Sequence, residues 1–185
     1  PGAKAGGPNY VAQFGTWADG ALRPFDVDIT QPVVSQLRAF AGLSLSDEDT
    51  AWLWRAAELD ELAWQQEFGR DHDRAGLVCE ANVFRYRPLL SPLQVRISED
   101  AQLRDVARLT LAATRTNSPV RFSAAPEKAA ELRELGFGVD GVALEAFIRE
   151  VSSLESGRVR SVGSVEEGVF EAAVQSNSVV LDQPV

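Results

Sequence analysis

Apolar and polar positions follow two different periods along this chain, and the change of period divides it. From Thr30 to Phe68 the period is helical. Thr30-Gln31-Pro32 reads as an N-cap with proline in the first turn, heading a helix through VVSQLRAFA that stops at Gly42. Ser46 opens SDED, a capping signature, and Asp47, Glu48 and Asp49 fill a first turn where the helix dipole favours negative charge. In TAWLWRAAELDELAWQQEF behind it, Trp52, Ala56, Leu59 and Ala63 share one face, with Leu62 beside them. Trp52, Trp54 and Trp64 are bulky enough to ask for cover on more than one face.

After Gly76 the period shortens. LVCEANVFRYRPLL and LQVRIS are β-rich, with Pro88 and Pro92 between them. Helix and strand then alternate: QLRDVARLTLAATR, PVRFSA, EKAAELREL, a short apolar GFGV, VALEAFIREV, RVRSVGS, VEEGVFEAAVQS and VVLD. Short apolar strands separated by helices of about ten residues predict βαβ crossovers and a mostly parallel sheet. The expected fold is therefore α/β and Rossmann-like over residues 77–185, under a helical segment at 30–76. Residues 1–29, broken by Gly2, Gly6, Gly7, Pro8, Gly15, Gly20 and Pro24, read as extended chain and loop, with a short strand around Tyr10, Val11, Phe14 and Trp17. A parallel sheet usually has something after a strand such as VVLDQPV, so the last domain is expected to be truncated.

Composition narrows the partners. The 185 residues are 45% hydrophobic and 24% charged, ordinary for a globular chain, and the net charge of −9 repels nucleic acid and anionic membranes. Cys79 is the single cysteine, so no internal disulfide forms and no CxxC metal pattern exists; a reducing, cytoplasmic compartment fits. No apolar run approaches the roughly 18 residues of a spanning helix, and no secretory signal pattern opens the chain.

The candidate chemistry is sparse. GFGVDG, residues 136–141, matches GxGxxG, but the dinucleotide fingerprint must follow a strand and open a helix. Here it follows the helix EKAAELREL, and Gly136 reads as a helix C-cap in the left-handed conformation. His72, in RDHDR between Asp71 and Asp73, is the sole histidine and is expected in a solvated loop. Cys79, in an apolar stretch with no histidine nearby in sequence, is expected to be buried and structural. Glu80 and Asn82, two apart on the same predicted strand, project to one face and form a polar pair. The carboxylates Glu58, Asp60, Glu61, Glu131, Glu134, Glu166 and Glu167 read as solvated helix faces. No catalytic, cofactor-binding or metal-ligating set emerges.

One stretch is more specific. KAGGPNY, with Lys4, Gly6, Gly7, Pro8 and Tyr10, resembles the segment that closes the aldehyde dehydrogenase module of Δ1-pyrroline-5-carboxylate dehydrogenases, beside the substrate-anchoring loop. EFGRDHDRAGLVCEANVFRYRP, with Glu80, Asn82, Arg85, Tyr86 and Pro88, resembles part of the C-terminal region of the bifunctional proline utilization A family, although Cys79 stands where that pattern has glycine. The resemblance implies that this chain is a piece of a longer polypeptide joining a flavin proline dehydrogenase to an NAD-dependent dehydrogenase. Residues 1–29 would be the tail of the aldehyde dehydrogenase module, an extended β-flap. The remainder would be an aldehyde-dehydrogenase-superfamily-like C-terminal domain that packs on the dehydrogenase module of the same polypeptide and closes its substrate-channelling tunnel. NAD and FAD are implied for the parent, none for this chain, which alone is expected to be inactive. Homo-oligomerisation is compatible with the same picture.

Two other readings stay open at the level of sequence: a small independent NAD-binding oxidoreductase using GFGVDG, or an oligomerisation module. An apolar docking patch drawn from Tyr10, Phe14, Trp17, Phe84 and Tyr86 is expected if the domain packs on a parent.

Overall fold

A computed structural model of the chain describes residues 26–43, 45–73, 75–155 and 157–183. The expectations at Lys4, Gly6, Gly7, Pro8 and Tyr10, and at Phe14 and Trp17, lie outside the described residues.

Helix α1 is Gln31–Phe40, with Thr30 as its N-cap residue and proline at its start. Helix α2, Asp47–Ala63, is capped by Ser46, whose hydroxyl accepts from the Asp49 amide at 3.0 Å. It runs into a π-helical turn, Trp64–Phe68. Strands β1, His72–Asp73, and β2, Val83–Phe84, form a small antiparallel pair. The α/β domain follows: β3 (Leu93–Ile97), α3 (Leu103–Thr116), β4 (Val120–Ala124), α4 (Pro126–Glu134), β5 (Val139–Gly141), α5 (Leu144–Ser152), β6 (Arg158–Val162), α6 (Val169–Gln175) and β7 (Val179–Leu181).

The five-stranded sheet is parallel throughout, in the order β5-β4-β3-β6-β7. The chain starts in the middle, winds outward through β4 and β5, then returns to the other side of β3. This is the doubly wound, Rossmann-like order, and its reversal lies between β3 and β6.

Alternation along each strand builds two cores. Val95, Ile97, Ala124, Val139 and Val162 pack with Val106, Ala107 and Leu111 of α3 and Ala129 and Leu132 of α4. Helices α1 and α2 form a further layer on α3, adding Val33, Leu37, Phe40, Leu53 and Ala57 to the same core. On the opposite face Val159 packs with Phe147 and Val151 of α5 and with Val169, Ala172 and Ala173 of α6. A buried side chain the size of Val, Leu or Phe contributes about 1.5–3 kcal/mol.

Three expectations change. The α2 stripe is rotated: Leu53, Ala56, Ala57 and Glu61 are buried, whereas Leu59 is 46% exposed. The cause is electrostatic. Arg115 of α3 grips Glu61 with two nitrogens and lies 4.4 Å over the Trp64 ring, while Arg108 takes Asp60 with two bonds of 2.7 Å. Those contacts turn the acidic side of α2 toward α3, so Asp60 and Glu61 are not solvated. The β-rich stretch 77–92 contributes only Val83–Phe84 as strand; its apolar residues lack a sheet to join. Glu80 and Asn82 therefore precede β2 rather than sharing it.

Candidate functional site

Open parallel sheets take their ligands outside the carboxyl ends of the strands, where the strand order reverses. In this fold that point lies between the loops leaving β3 and β6. The first loop reads Ser98-Glu99-Asp100, the second Gly163-Ser164. The Ser98 amide donates to the Val162 carbonyl at 3.0 Å, and the Ser98 hydroxyl donates to the Asp100 carboxylate. From the other loop, the Ser164 amide and hydroxyl each donate to Asp100 Oδ1 at 3.0 Å. These bonds, led by the Ser98 hydroxyl and followed by the Ser164 amide and hydroxyl, hold the Asp100 carboxyl down at about 2.

Gly163 makes this possible. Its φ is +82°, and a Cβ there would stand 2.6 Å from Asp100 Oδ1, 2.9 Å from the Ala101 nitrogen and closer still to Ser98 Oγ. The crevice is closed by the protein's own carboxylate, and the Ser164 amide that would face a bound anion is already engaged. The nearby cation is committed too. Arg96, 2% exposed in the central strand, pairs with Glu166, donates to the Val142 carbonyl at 2.7 Å and lies 5.3 Å over the Phe147 ring. Glu166, expected on a solvated face, is thus the counter-ion of a buried arginine.

A carboxylate with a pKa near 2 is far too weak a base to activate Ser98 or Ser164 near neutral pH. Among the described residues no group of three His, Cys, Asp or Glu is placed to hold a metal ion, and no helix is long and apolar enough to cross a membrane.

The GxGxxG stretch lies elsewhere. Gly136 follows α4 with φ +89°, its amide bonds to the Arg133 carbonyl at 2.9 Å, and the Phe137 amide bonds to the Leu132 carbonyl at 3.0 Å. This is a Schellman stop, with Phe137 and Leu132 buried together. Gly138 leads into β5 and Gly141 ends it. The motif spans a helix stop and a strand, as its sequence context predicts.

A second feature stands off the domain. The chain between Phe68 and Pro92 carries apolar side chains in the open: Phe68 42% exposed, Phe84 42%, and Val78 and Leu90 fully so. Phe68 and Phe84 each meet the Tyr86 ring edge-to-face, at 4.7 and 5.0 Å. The base of this arm is tied to the π turn. The Tyr86 hydroxyl bonds to Glu67 Oε1 at 3.3 Å, His72 Nε2 lies 2.8 Å from the Glu67 carbonyl, and Arg85 pairs with Asp71 at 3.0 Å. His72 is half-buried in β1, not in a solvated loop. Asn82 donates to Glu80 at 3.0 Å, and both are exposed. Cys79 is exposed, against the expectation of burial, because its apolar neighbours face outward with it.

The residues that shape the crevice, Ser98, Asp100, Gly163 and Ser164, escape a sequence reading because they sit on two loops, with Asp100 and Ser164 64 positions apart, and only the strand order brings them together. One signal was legible: Arg96 interrupts the apolar strand LQVRI, and an arginine inside a central strand demands a buried partner.

Comparison with protein-family models, with curated proteins and with solved structures gives no significant match.

Proposed function

We propose that this chain is the non-catalytic C-terminal part of a bifunctional cytoplasmic enzyme that oxidises proline to glutamate by proline dehydrogenase and NAD-dependent Δ1-pyrroline-5-carboxylate dehydrogenase activities. Its α/β domain, of the aldehyde-dehydrogenase-superfamily type, packs on the dehydrogenase module and closes the tunnel through which the intermediate passes. NAD and FAD are held by the catalytic modules.

The observation that carries this reading is the apolar arm around Phe68, Phe84 and Tyr86. Such a patch on an otherwise well-packed α/β domain is what a surface built for another protein surface looks like. The closed crevice supports the non-catalytic half of the proposal, since the usual ligand position of this topology is filled by Asp100. The resemblance of KAGGPNY to the segment that closes the aldehyde dehydrogenase module supports the choice of family.

The arm equally suits contact between two copies of the chain, the oligomerisation reading. Amide hydrogen exchange separates the two. In the intact parent enzyme, amides of residues 76–90 exchange slowly; in the isolated chain at low concentration they exchange fast. Equal exchange in both forms rules out packing on the dehydrogenase module. Slowing that depends on concentration of the isolated chain assigns the arm to self-association.

A further inference from the structure

A polar row crosses the middle of the sheet. Arg96 of β3 stands opposite Ser123 of β4 on one side and Ser161 of β6 on the other, so the three side chains share one face. All are buried, at 2%, 2% and 3% exposed. The face is the one that Phe147 covers, since the Arg96 guanidinium lies 5.3 Å over that ring. Arg96 and Ser161 are each the last residue but one of their strands, at the carboxyl ends where the strand order reverses.

The row holds more donors than its acceptors use. Ser123 gives its hydroxyl to the Val95 carbonyl at 3.2 Å. Arg96 places Nε and Nη2 on the two Glu166 oxygens and Nη1 on the Val142 carbonyl, which is three of the five N–H groups of a guanidinium. The Ser161 hydroxyl is buried and has no partner among the described residues. A buried donor left unpaired is destabilising, and apolar side chains of the same volume stabilise a core as well as a buried ion pair does. Stability alone therefore gives no reason for this row.

Glu166 has the geometry of a stand-in. It belongs to the loop between β6 and α6, and its side chain keeps 21% of its surface exposed. The backbone around it is fixed: Asp100 holds the Ser164 amide, and the Glu166 carbonyl accepts from the Val169 amide at 3.3 Å. From that tether the carboxylate reaches Arg96 and makes no bond to Ser161. It can leave by rotation about its own side-chain bonds, with the loop in place. A carboxylate free of the tether has acceptor sites for both donors.

We infer that Arg96 and Ser161 form a binding site for a small external carboxylate, which Glu166 occupies in the free chain. The ligand's oxygens take Arg96 Nε and Nη2 in the fork that Glu166 now uses, and Ser161 adds the donor that Glu166 leaves idle. The arginine excludes a cation, and a neutral amide in place of Glu166 would leave the buried guanidinium without a counter-ion. The proposal is independent of the tunnel-closing reading, because the site lies inside the α/β domain, away from the arm.

Calorimetric titration of the chain with sodium propionate, propionamide and sodium chloride, at matched ionic strength, tests it. Tethered Glu166 competes at an effective concentration of roughly millimolar or above, so the wild type binds propionate weakly. Glu166→Gln, which keeps the size of the side chain and removes the competing charge, tightens propionate binding by about tenfold or more, while propionamide and chloride do not saturate. Ser161→Ala in that background weakens propionate binding by about fivefold, yet leaves Tm without ligand unchanged or raised, because the hydroxyl it removes was unpaired. A residue that only packs would not separate the two readouts. Where Glu166→Gln does not fold, the Arg96 Nε proton resonance decides. It moves to saturation with propionate in the wild type, and needs about fivefold more in Ser161→Ala. No saturation with propionate, equal binding of propionamide, or unchanged affinity on Ser161→Ala overturns the proposal.

Discussion

Replacing Gly163 by alanine tests whether the crevice between β3 and β6 is closed as described. The backbone there has φ +82°, and a left-handed conformation costs an alanine about 1–2 kcal/mol. The added methyl also meets Asp100 Oδ1 at 2.6 Å and the Ala101 nitrogen at 2.9 Å, the second a backbone atom that cannot simply rotate away. Forcing a methyl into a filled space costs a further 1–3 kcal/mol, roughly. Gly136 supplies the control. Its φ is +89°, but nothing lies within 4 Å of its would-be Cβ, so Gly136→Ala carries the backbone cost alone. Urea unfolding followed by far-ultraviolet circular dichroism is therefore expected to show a loss of about 3 kcal/mol or more for Gly163→Ala, against about 1–2 for Gly136→Ala. For a chain of this size the first loss corresponds to a Tm lowered by about 6–12 °C. Equal losses in the two variants, or a smaller loss at Gly163, would mean that the crevice is open and the account of its closure is wrong.

Other outcomes follow from individual contacts. Glu61→Ala leaves Arg115 buried without its counter-ion and is expected to cost about 3–5 kcal/mol, whereas Glu61→Leu combined with Arg115→Met recovers most of it; a cycle of urea melts measures both. Asp100 sits at about 2 in the folded chain against an ordinary 3.8, a depressed value, so its contribution is complete above pH 3.8 and disappears as pH falls through 2. Acid titrations of stability are therefore expected to be steeper between about pH 4 and 2 in the wild type than in Asp100→Asn. Phe84→Ser, at an exposed position of the arm, is expected to change the stability of the isolated chain by about 0.5 kcal/mol or less while weakening the proposed contact with a dehydrogenase module, a combination that a melt and a binding titration read separately.

Much of the fold was legible because local chemistry and tertiary structure agree over residues 93–181. Gly136 is one case: a glycine after EKAAELREL ends that helix wherever the rest of the chain goes. Ser46 is another, its cap needing only the Asp49 amide. What the sequence hid depends on pairing at a distance. The buried face of α2 is set by Arg108 and Arg115, about 50 residues downstream, and an apolar pattern has no place for a buried Glu61. The apolar, β-branched residues of 77–92 look like strand residues because strand propensity measures fit to a half-buried pleated surface. Here that surface is missing from the chain's own sheet, so the same residues stand outward. The closed crevice was invisible for a third reason: serine, aspartate and glycine are ordinary loop residues until the order β5-β4-β3-β6-β7 sets two loops face to face.

The proposed function is containment of an intermediate by a domain that does no chemistry. It is tested most directly by the time course of NADH formation from proline, in the parent enzyme and in a version that ends before Asp26 but keeps KAGGPNY. Containment raises the local concentration of intermediate at the second site, as tethering does, and changes neither chemical barrier. The shortened enzyme is expected to show a lag before NADH appears, with oxidation of added Δ1-pyrroline-5-carboxylate largely retained. NADH formation without a lag, or complete loss of the second activity in a shortened enzyme that remains folded, would contradict it.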